Sequence, residues 1–320
     1  MKIIRDNFTR IINVPTVIIL GSFDGIHVGH RALIEGAKNL AEEIKANLKI
    51  NDVKIMVCTF KNHPLSVINK DICPKLIMSN KEKAELFEEL GVDILNFMEF
   101  NREFMEIPPS DFIKNLREYY NAHGIVVGFN YRFGYKNLGD VELLHKCSLE
   151  FGYKLKVVEP VTLDGEVASS SVIRHNLQEG NVERANVLLK RPYMLKGRVI
   201  EGRQLGRTIN FPTVNLNYNK KYLVPKGGVY GTVVEYKKSF YKGITNIGFN
   251  PTVNGKKLSI ETHILNFNEN IYKKDIKIYF LEKIRDEKKF LTFDDLKNQL
   301  IKDKAYVENK RYDFVSESIK

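Results

Sequence analysis

The chain has 320 residues, is 43% hydrophobic and 28% charged, and carries a formal net charge of +11. This composition excludes a disordered polymer and gives room for two domains of roughly 150 residues each. Three cysteines without regular spacing, no CxxC pair and no apolar run near the roughly 20 residues of a membrane span exclude a disulfide framework, a zinc ribbon and a spanning helix. With no apolar leader in Met1–Asp6, a cytoplasmic chain is expected. The basic balance favours anionic partners, nucleotides first and nucleic acid less specifically, although a lysine-rich solvated surface explains the charge equally well.

In chain order, Val17-Ile18-Ile19-Leu20 reads as a strand and Gly21-Ser22-Phe23-Asp24-Gly25-Ile26-His27-Val28-Gly29-His30 as a glycine-rich turn. Leu33, Ala37, Leu40, Ala41 and Ile44 then mark one face of a helix. Gly21, Gly25 and Gly29 allow a tight bend and close approach of a ligand. The helix start suits an anion, and His27 and His30 can each donate a hydrogen bond to a phosphate oxygen. Standing alone, the same residues also fit a plain turn with two surface histidines.

Further strands are expected at Val53–Phe60, Val92–Leu95, Ile125–Gly128 and Leu155–Val158. Helices fall between them: one opened by the capping box Ser79-Asn80-Lys81-Glu82 and closed by Gly91, one capped by Ser110-Asp111 with Phe112, Ile113, Leu116 and Tyr120, and one bearing Leu143, Leu144 and Cys147. Alternating strands and helices predict an α/β domain with a Rossmann-like parallel sheet. Its polar strand tips, 21–30, 61–64 and 128–134, then lie at the sheet edge where such folds bind ligands. A fourth stretch, Ser169-Ser170-Ser171-Val172-Ile173-Arg174, opens a helix through Leu177 that ends near Gly180. Its hydroxyls and Arg174 suit phosphate, although a plain serine cap reads the same in isolation.

From about Arg191 the period changes to short β runs: Tyr193–Ile200, Val229–Tyr236, Phe240–Ile247, Leu258–Asn266 and Ile276–Ile284. With turn residues between them, they predict a closed antiparallel β-barrel, followed by a terminal helix starting near Thr292 with Phe293, Leu296, Leu300 and Ile301. The domains are expected at 1–186 and 187–320. Gly202 to Asn215 is a polar focus without Walker A spacing. Thr213 and Asn215 offer hard oxygens on one strand face, suited to Mg²⁺ shared with nucleotide phosphates.

The turn at 21–30 carries the H-x-G-H pattern of the nucleotidyltransferase superfamily. Gly21–His30, Gly128–Gly134 and Ser169–Arg174 together resemble the bifunctional bacterial riboflavin kinase/FMN adenylyltransferases, or FAD synthetases. The likeness continues through Gly202–Asn215, where Asn210 stands in place of a glycine of the pattern, and through Asn246–Thr252, Glu261 and Phe280–Arg285. Asn62-His63-Pro64 departs from the usual P-H-P, and Leu189-Lys190-Arg191-Pro192-Tyr193 from L-G-R-P-Y.

The resemblance implies a chain that phosphorylates riboflavin to FMN and adenylylates FMN to FAD, using ATP twice with Mg²⁺. It implies His27, His30, Arg174 and Glu261 as catalytic. Gly21, Phe23, Asp24, Gly29, Ser171, Arg174, Gly202, Gly206 and Arg207 would bind ATP or its phosphates. Asn62, Asn130 and Arg285 would bind flavin, and Thr213 and Asn215 the metal. A monomer or weak homo-oligomer acting on small molecules is expected, without nucleic acid or membrane. The alternatives are another H-x-G-H adenylyltransferase, which would not need the barrel, and a basic RNA-binding protein. The latter would show exposed aromatics interleaved with Lys or Arg, as Tyr236-Lys237-Lys238 and Tyr241-Lys242 hint.

Overall fold

The computed structural model describes residues 1–201, 211–252 and 255–312, and the chain divides into two compact units, Met1–Ser169 and Ser170–Lys320. The first unit runs β1 (Lys2–Ile4), β2 (Thr16–Leu20), α1 (Val28–Leu48), β3 (Lys54–Phe60), α2 (Leu65–Ile68), α3 (Asn80–Glu89), β4 (Ile94–Met98), α4 (Arg102–Met105), α5 (Pro109–Tyr120), β5 (Ala122–Gly128), α6 (Val141–Phe151), β6 (Lys154–Val158) and the small hairpin β7 (Thr162–Leu163) and β8 (Glu166–Val167).

The six-stranded sheet has the order β1-β4-β3-β2-β5-β6, and every pair is parallel. From β2 the sheet grows first through β3 and β4, then on the other side through β5 and β6. The order therefore reverses between β2 and β5, and the loops after those two strands flank the crevice this creates. Both faces are covered. Ile18 and Leu20 of β2 pack with Met56, Cys58, Ile125 and Val127 under α5 and α6, whereas Val17 and Ile19 pack with Val57 and Val126 under α1 and α3. Burial on both faces is why the strands read as continuous apolar runs rather than alternations.

The structure departs from the sequence expectations at several ends. Strand β1 was not expected: it has three residues, of which only Ile4 is buried, too few to show a period. Strand β4 starts at Ile94 rather than Val92, because the Val92 N–H still bonds back to Phe87 at the exit of α3. Helix α5 starts at Pro109 rather than from a Ser110-Asp111 cap, since proline at its first position fixes a helical φ and needs no donor.

The N-terminal segment is tied down by a buried polar knot. Tyr120 Oη donates to Asp6 Oδ2 at 2.7 Å and accepts from the Phe8 N–H and from Asn96 Nδ2, each at 3.0 Å. Burial pushes the Asp6 carboxyl up, but hydrogen bonds from Thr9, Tyr120 and Arg10 outweigh it and hold the group below its ordinary value. Its contribution to stability is thus complete above the ordinary carboxylate range and is lost as pH falls through the lowered value. Tyr120→Phe removes the hub and leaves buried partners unsatisfied. It is expected to lower stability by about 2–3 kcal/mol in urea denaturation at pH 7, and by less in acid, where Asp6 is protonated.

The second unit opens with α7 (Ser170–Glu179) and α8 (Val182–Leu189), followed by β9 (Tyr193–Ile200), β10 (Val214–Tyr218), β11 (Gly228–Tyr236), β12 (Ser239–Thr252), β13 (Gly255–Ile264), β14 (Asp275–Arg285) and α9 (Phe293–Asn309). The strands close an antiparallel barrel in the order β10-β13-β12-β11-β14-β9. Strand β10 completes the ring between β13 and β9, and where it passes Gly197 a Cβ would lie 2.4 Å from the Asn217 carbonyl oxygen, so only glycine fits.

Helices α7 and α8 dock onto the barrel. Asn186 Nδ2 donates to the Phe280 carbonyl at 2.8 Å, its Oδ1 accepts from the Tyr193 N–H at 2.7 Å, and the Lys226 N–H bonds to the Leu177 carbonyl at 2.9 Å. These bonds are why the division by packing falls at Ser169/Ser170, earlier than the 186/187 boundary expected from the change of period. On α9 the buried residues are Asp303 and Val307, whereas Phe293 and Ile301 of the expected apolar face are exposed. An ion pair between the partly buried Arg285 of β14 and the buried Asp303, rather than an apolar stripe alone, anchors this helix.

Candidate active sites

The turn after β2 is built to hold an unusual backbone. Phe23 and Ile26 have φ of 51° and 42°, in the left-handed region that a β-branched residue strongly disfavours, and Gly25 has φ of 96°. The strain is held by burial, since Phe23 and Ile26 are both fully enclosed. The Phe23 ring packs on Phe87 of α3 and on His30, with centroids 5.3 and 4.9 Å apart. It also lies over Gly21, where a Cβ would sit 3.0 Å from the ring.

His27 is the N-cap of α1, and its Nδ1 accepts the Gly29 N–H at 3.2 Å. An accepting Nδ1 leaves Nε2 as the protonated nitrogen of the neutral ring, the one able to donate to an oxyanion. The His30 ring stacks on His27 at 3.7 Å between centroids. Gly29 makes room for this, since a Cβ there would lie 3.1 Å from the His27 ring. The first turn of α1 carries no acidic residue to offset its positive end. Two imidazoles and a helix start therefore converge at the switch point, as the residue spacing implies.

Other expected ligands sit differently. Phe23 and Asp24 are both buried. Phe23 is core, and Asp24 is 3% exposed with its carboxylate accepting the Ile77 N–H at 3.0 Å and the Met78 N–H at 3.4 Å. Asn62, at the tip of β3, donates to the Phe100 carbonyl at 2.9 Å and accepts the Phe100 N–H at 3.1 Å, so its amide ties two loops together. Asn130 is exposed on the loop after β5, beside the exposed Phe129. Ser171 and Arg174 lie in the first half of α7, Ser171 exposed and Arg174 half-buried. Gly202, Gly206, Arg207 and Asn210 lie outside the described residues.

On the barrel, strand register assembles the second cluster. Asn215 of β10 pairs with Glu261 of β13, and Glu261 pairs on its other side with Asn246 of β12. Directly paired residues point to one face with Cβ atoms about 5 Å apart. Asn215, Glu261 and Asn246 therefore form one row, with Thr213 two residues before Asn215. In the next register Thr245 pairs with Thr262, and a buried hydroxyl chain Thr232–Thr245–Thr262 is linked at 2.9 Å per step. The row of paired residues continues through Val229 to Arg285. The Arg285 guanidinium, however, is engaged by α9, donating to both carboxylate oxygens of Asp303 at 3.1 and 2.8 Å.

Two residues of this cluster were not singled out from the sequence as site residues. Asn246, part of the resemblance but given no role there, joins the row through the strand register. His263, two residues beyond Glu261 on the same face, donates from Nδ1 to the Pro212 carbonyl at 2.8 Å and so fixes the segment that presents Thr213. Burial holds its imidazole below the ordinary histidine value, so it is neutral at pH 7. The alternation in Ser259-Ile260-Glu261-Thr262-His263 was the available signal. His263→Ala removes this donor and leaves the Pro212 carbonyl, just before Thr213, without it. The aromatics that hinted at RNA, Tyr236 and Tyr241, both pack edge-on against Phe267.

An H-x-G-H turn at the switch point of a parallel sheet, followed by a closed barrel with a Thr/Asn/Glu cluster, is the layout of a nucleotidyltransferase joined to a small kinase. Residues 10–172 match the FAD synthetase family and residues 189–310 the riboflavin kinase family. The chain is 38% identical to the bifunctional riboflavin kinase/FMN adenylyltransferase of Bacillus subtilis, covering 90% of each chain. It is 34% identical to the protein of the same name from Escherichia coli K12, covering 95% of this chain and 96% of that one. A crystal structure from Streptococcus pneumoniae described as a macrolide-efflux protein shares the fold with a TM-score of 0.86 and 31% identity, covering 97% of this chain and 99% of that one. The chain belongs to the bifunctional riboflavin kinase/FMN adenylyltransferase family.

Proposed function

We infer that the chain makes FAD from riboflavin in two ATP-dependent steps, each at its own cluster of residues. The observation that carries this reading is the presence, on one chain, of two separate phosphate-type clusters: the stacked His27–His30 pair at a helix start and the Asn215–Glu261–Asn246 row on the barrel. Functionally we divide the chain at 186/187, leaving α7 with the adenylyl-transfer half whose phosphate it is assigned to hold.

In the kinase step the riboflavin 5′-hydroxyl attacks the γ-phosphorus of ATP, giving FMN and ADP. Catalysis of this kind is mainly positioning and charge neutralisation. Thr213 and Asn215 offer a hydroxyl and an amide carbonyl on alternate positions of one strand, a hard-oxygen set that fits Mg²⁺ sharing its remaining ligands with phosphates. When bound, the ion neutralises charge on the triphosphate. Glu261 accepts the hydroxyl proton. Gly202, Gly206 and Arg207 are assigned to ATP on the sequence pattern.

In the adenylyl step the FMN phosphate, already ionised at pH 7, attacks the α-phosphorus and expels pyrophosphate. No strong base is needed, so the site must stabilise charge on the transferring group. His27 Nε2, His30 and the neighbouring backbone N–H groups are assigned that task, and Ser171 and Arg174 the leaving pyrophosphate. Asn130 is assigned to the flavin nucleotide. Asn62, Asp24 and Arg285 act through the loops and helix they anchor. Cytoplasmic action as a monomer or weak homo-oligomer, with no membrane or nucleic-acid partner, belongs to the same reading. Cys58, Cys73 and Cys147 are free thiols, and no helix among the described residues is long and apolar enough to cross a membrane. Following ADP and pyrophosphate release separately tests the two steps. Riboflavin should give ADP first, and added FMN should give pyrophosphate without ADP.

A further inference from the structure

Helix α3 and the segment leading into it touch the strained turn at three successive residues, and none of these contacts is explained by the chemistry above. The Ser22 carbonyl accepts Lys83 Nζ at 2.7 Å, the Phe23 ring packs on Phe87, and the Asp24 carboxylate accepts the N–H groups of Ile77 and Met78 just before the helix begins. Lys83 and Phe87 are four residues apart, hence on one face of the helix. The capping box of Ser79 and Glu82 fixes where that helix starts, and therefore where Lys83 points.

Lys83 is 6% exposed, an expensive position for an ammonium group. Its partners show what it does there. Thr59 Oγ1 of β3 donates to the same Ser22 carbonyl at 3.0 Å, so two donors from two elements hold one peptide oxygen inward. The peptide is trans, so the Phe23 N–H must point the opposite way, away from Lys83. Phe23 is also a strained residue of the turn, whose peptide would relax towards ordinary φ without such restraint.

We propose that Lys83 is a positioning residue for adenylyl transfer: its buried ammonium pins the Ser22–Phe23 peptide so that the Phe23 N–H is presented to the nucleotide phosphates. This rests on the assignment of the Gly21–His30 turn to those phosphates. Burial lowers the Lys83 amine to about 8, opposed by the nearby Asp24 carboxylate. The titratable groups around it are Asp24 on the turn and, through Phe23, the stacked imidazoles of His27 and His30. Its charge is therefore lost in an accessible range, as pH rises through about 8.

The test uses the full chain with Lys83→Met, which keeps the packing and removes the donor and charge. FAD formation from ATP and FMN should lose about 10²-fold in kcat/KM for ATP, with KM for FMN and the rate of FMN formation from riboflavin within about two-fold of the parent. The parent's kcat/KM for ATP should fall above about pH 8, whereas the Lys83→Met profile should be flat there. An unchanged kcat/KM for ATP, or equal loss of ATP and FMN binding with a lowered melting temperature and no change in pH profile, overturns the proposal. Lys83→Arg separates charge from shape: partial recovery supports the proposal, and a rate equal to that of Lys83→Met contradicts it. His30→Ala distinguishes the underlying assignment. If that variant still forms FAD at the parent rate, the turn is not the nucleotide site and the failure lies there, whatever Lys83 does.

Discussion

His30→Ala is expected to cut FAD formation by about 10³-fold and to leave FMN formation from riboflavin unchanged. The magnitude follows from the role of the ring. His30 stacks at 3.7 Å on His27, whose own orientation is set by the Gly29 N–H, so removing His30 costs one donor directly and loosens a second. The selectivity follows from the fold. His30 lies in the parallel-sheet unit, Met1–Ser169, whereas the Thr213, Asn215 and Glu261 cluster belongs to the barrel unit. FMN should therefore accumulate when the variant is given riboflavin and ATP. Chromatography of the flavins reads this directly, and loss of both products would contradict separate sites.

Glu261→Gln gives the mirror image. FMN formation is expected to fall by about 10² to 10⁴-fold, while FAD formation from supplied FMN continues at the parent rate. Gln keeps the size and a hydrogen-bonding carbonyl but cannot accept the hydroxyl proton. Glu261 is paired on both sides, by Asn215 and Asn246, so the isosteric change should not disturb the barrel. Equal melting temperatures for parent and variant check that point. If FMN forms at the parent rate, Glu261 is not the base.

Much of this layout was legible in the residues because each signal had a physical cause strong enough to act locally. The capping box at Ser79, the glycine exits at Gly91, Gly152 and Gly180, and the apolar runs of β2, β3 and β5 all appear where their chemistry placed them. The H-x-G-H turn was legible as a strand-to-helix turn because its glycines let the chain bend tightly between β2 and α1. What was not legible was long-range. Asp24 reads as a ligand in a ligand-rich motif, yet its carboxylate is used by Ile77 and Met78, more than fifty positions away. Nothing in the residues near Asn62 and Arg285 shows that Phe100 and Asp303 bond to their side chains. The apolar stripe of α9 reads as a docking face, yet Asp303 and Val307 carry the docking. Lys83 looks like a solvated helix lysine within Lys81-Glu82-Lys83 until the sheet places Ser22 above it.

In the proposed function, one chain carries two ATP-consuming sites acting in series. The most direct measurement is a time course with the full chain, riboflavin, ATP and Mg²⁺, resolving FMN and FAD and quantifying ADP and pyrophosphate. FMN should rise first with equimolar ADP, and FAD should follow after a lag with equimolar pyrophosphate. Formation of FAD without prior FMN, or FMN that accumulates with no pyrophosphate however long the reaction runs, would contradict the account.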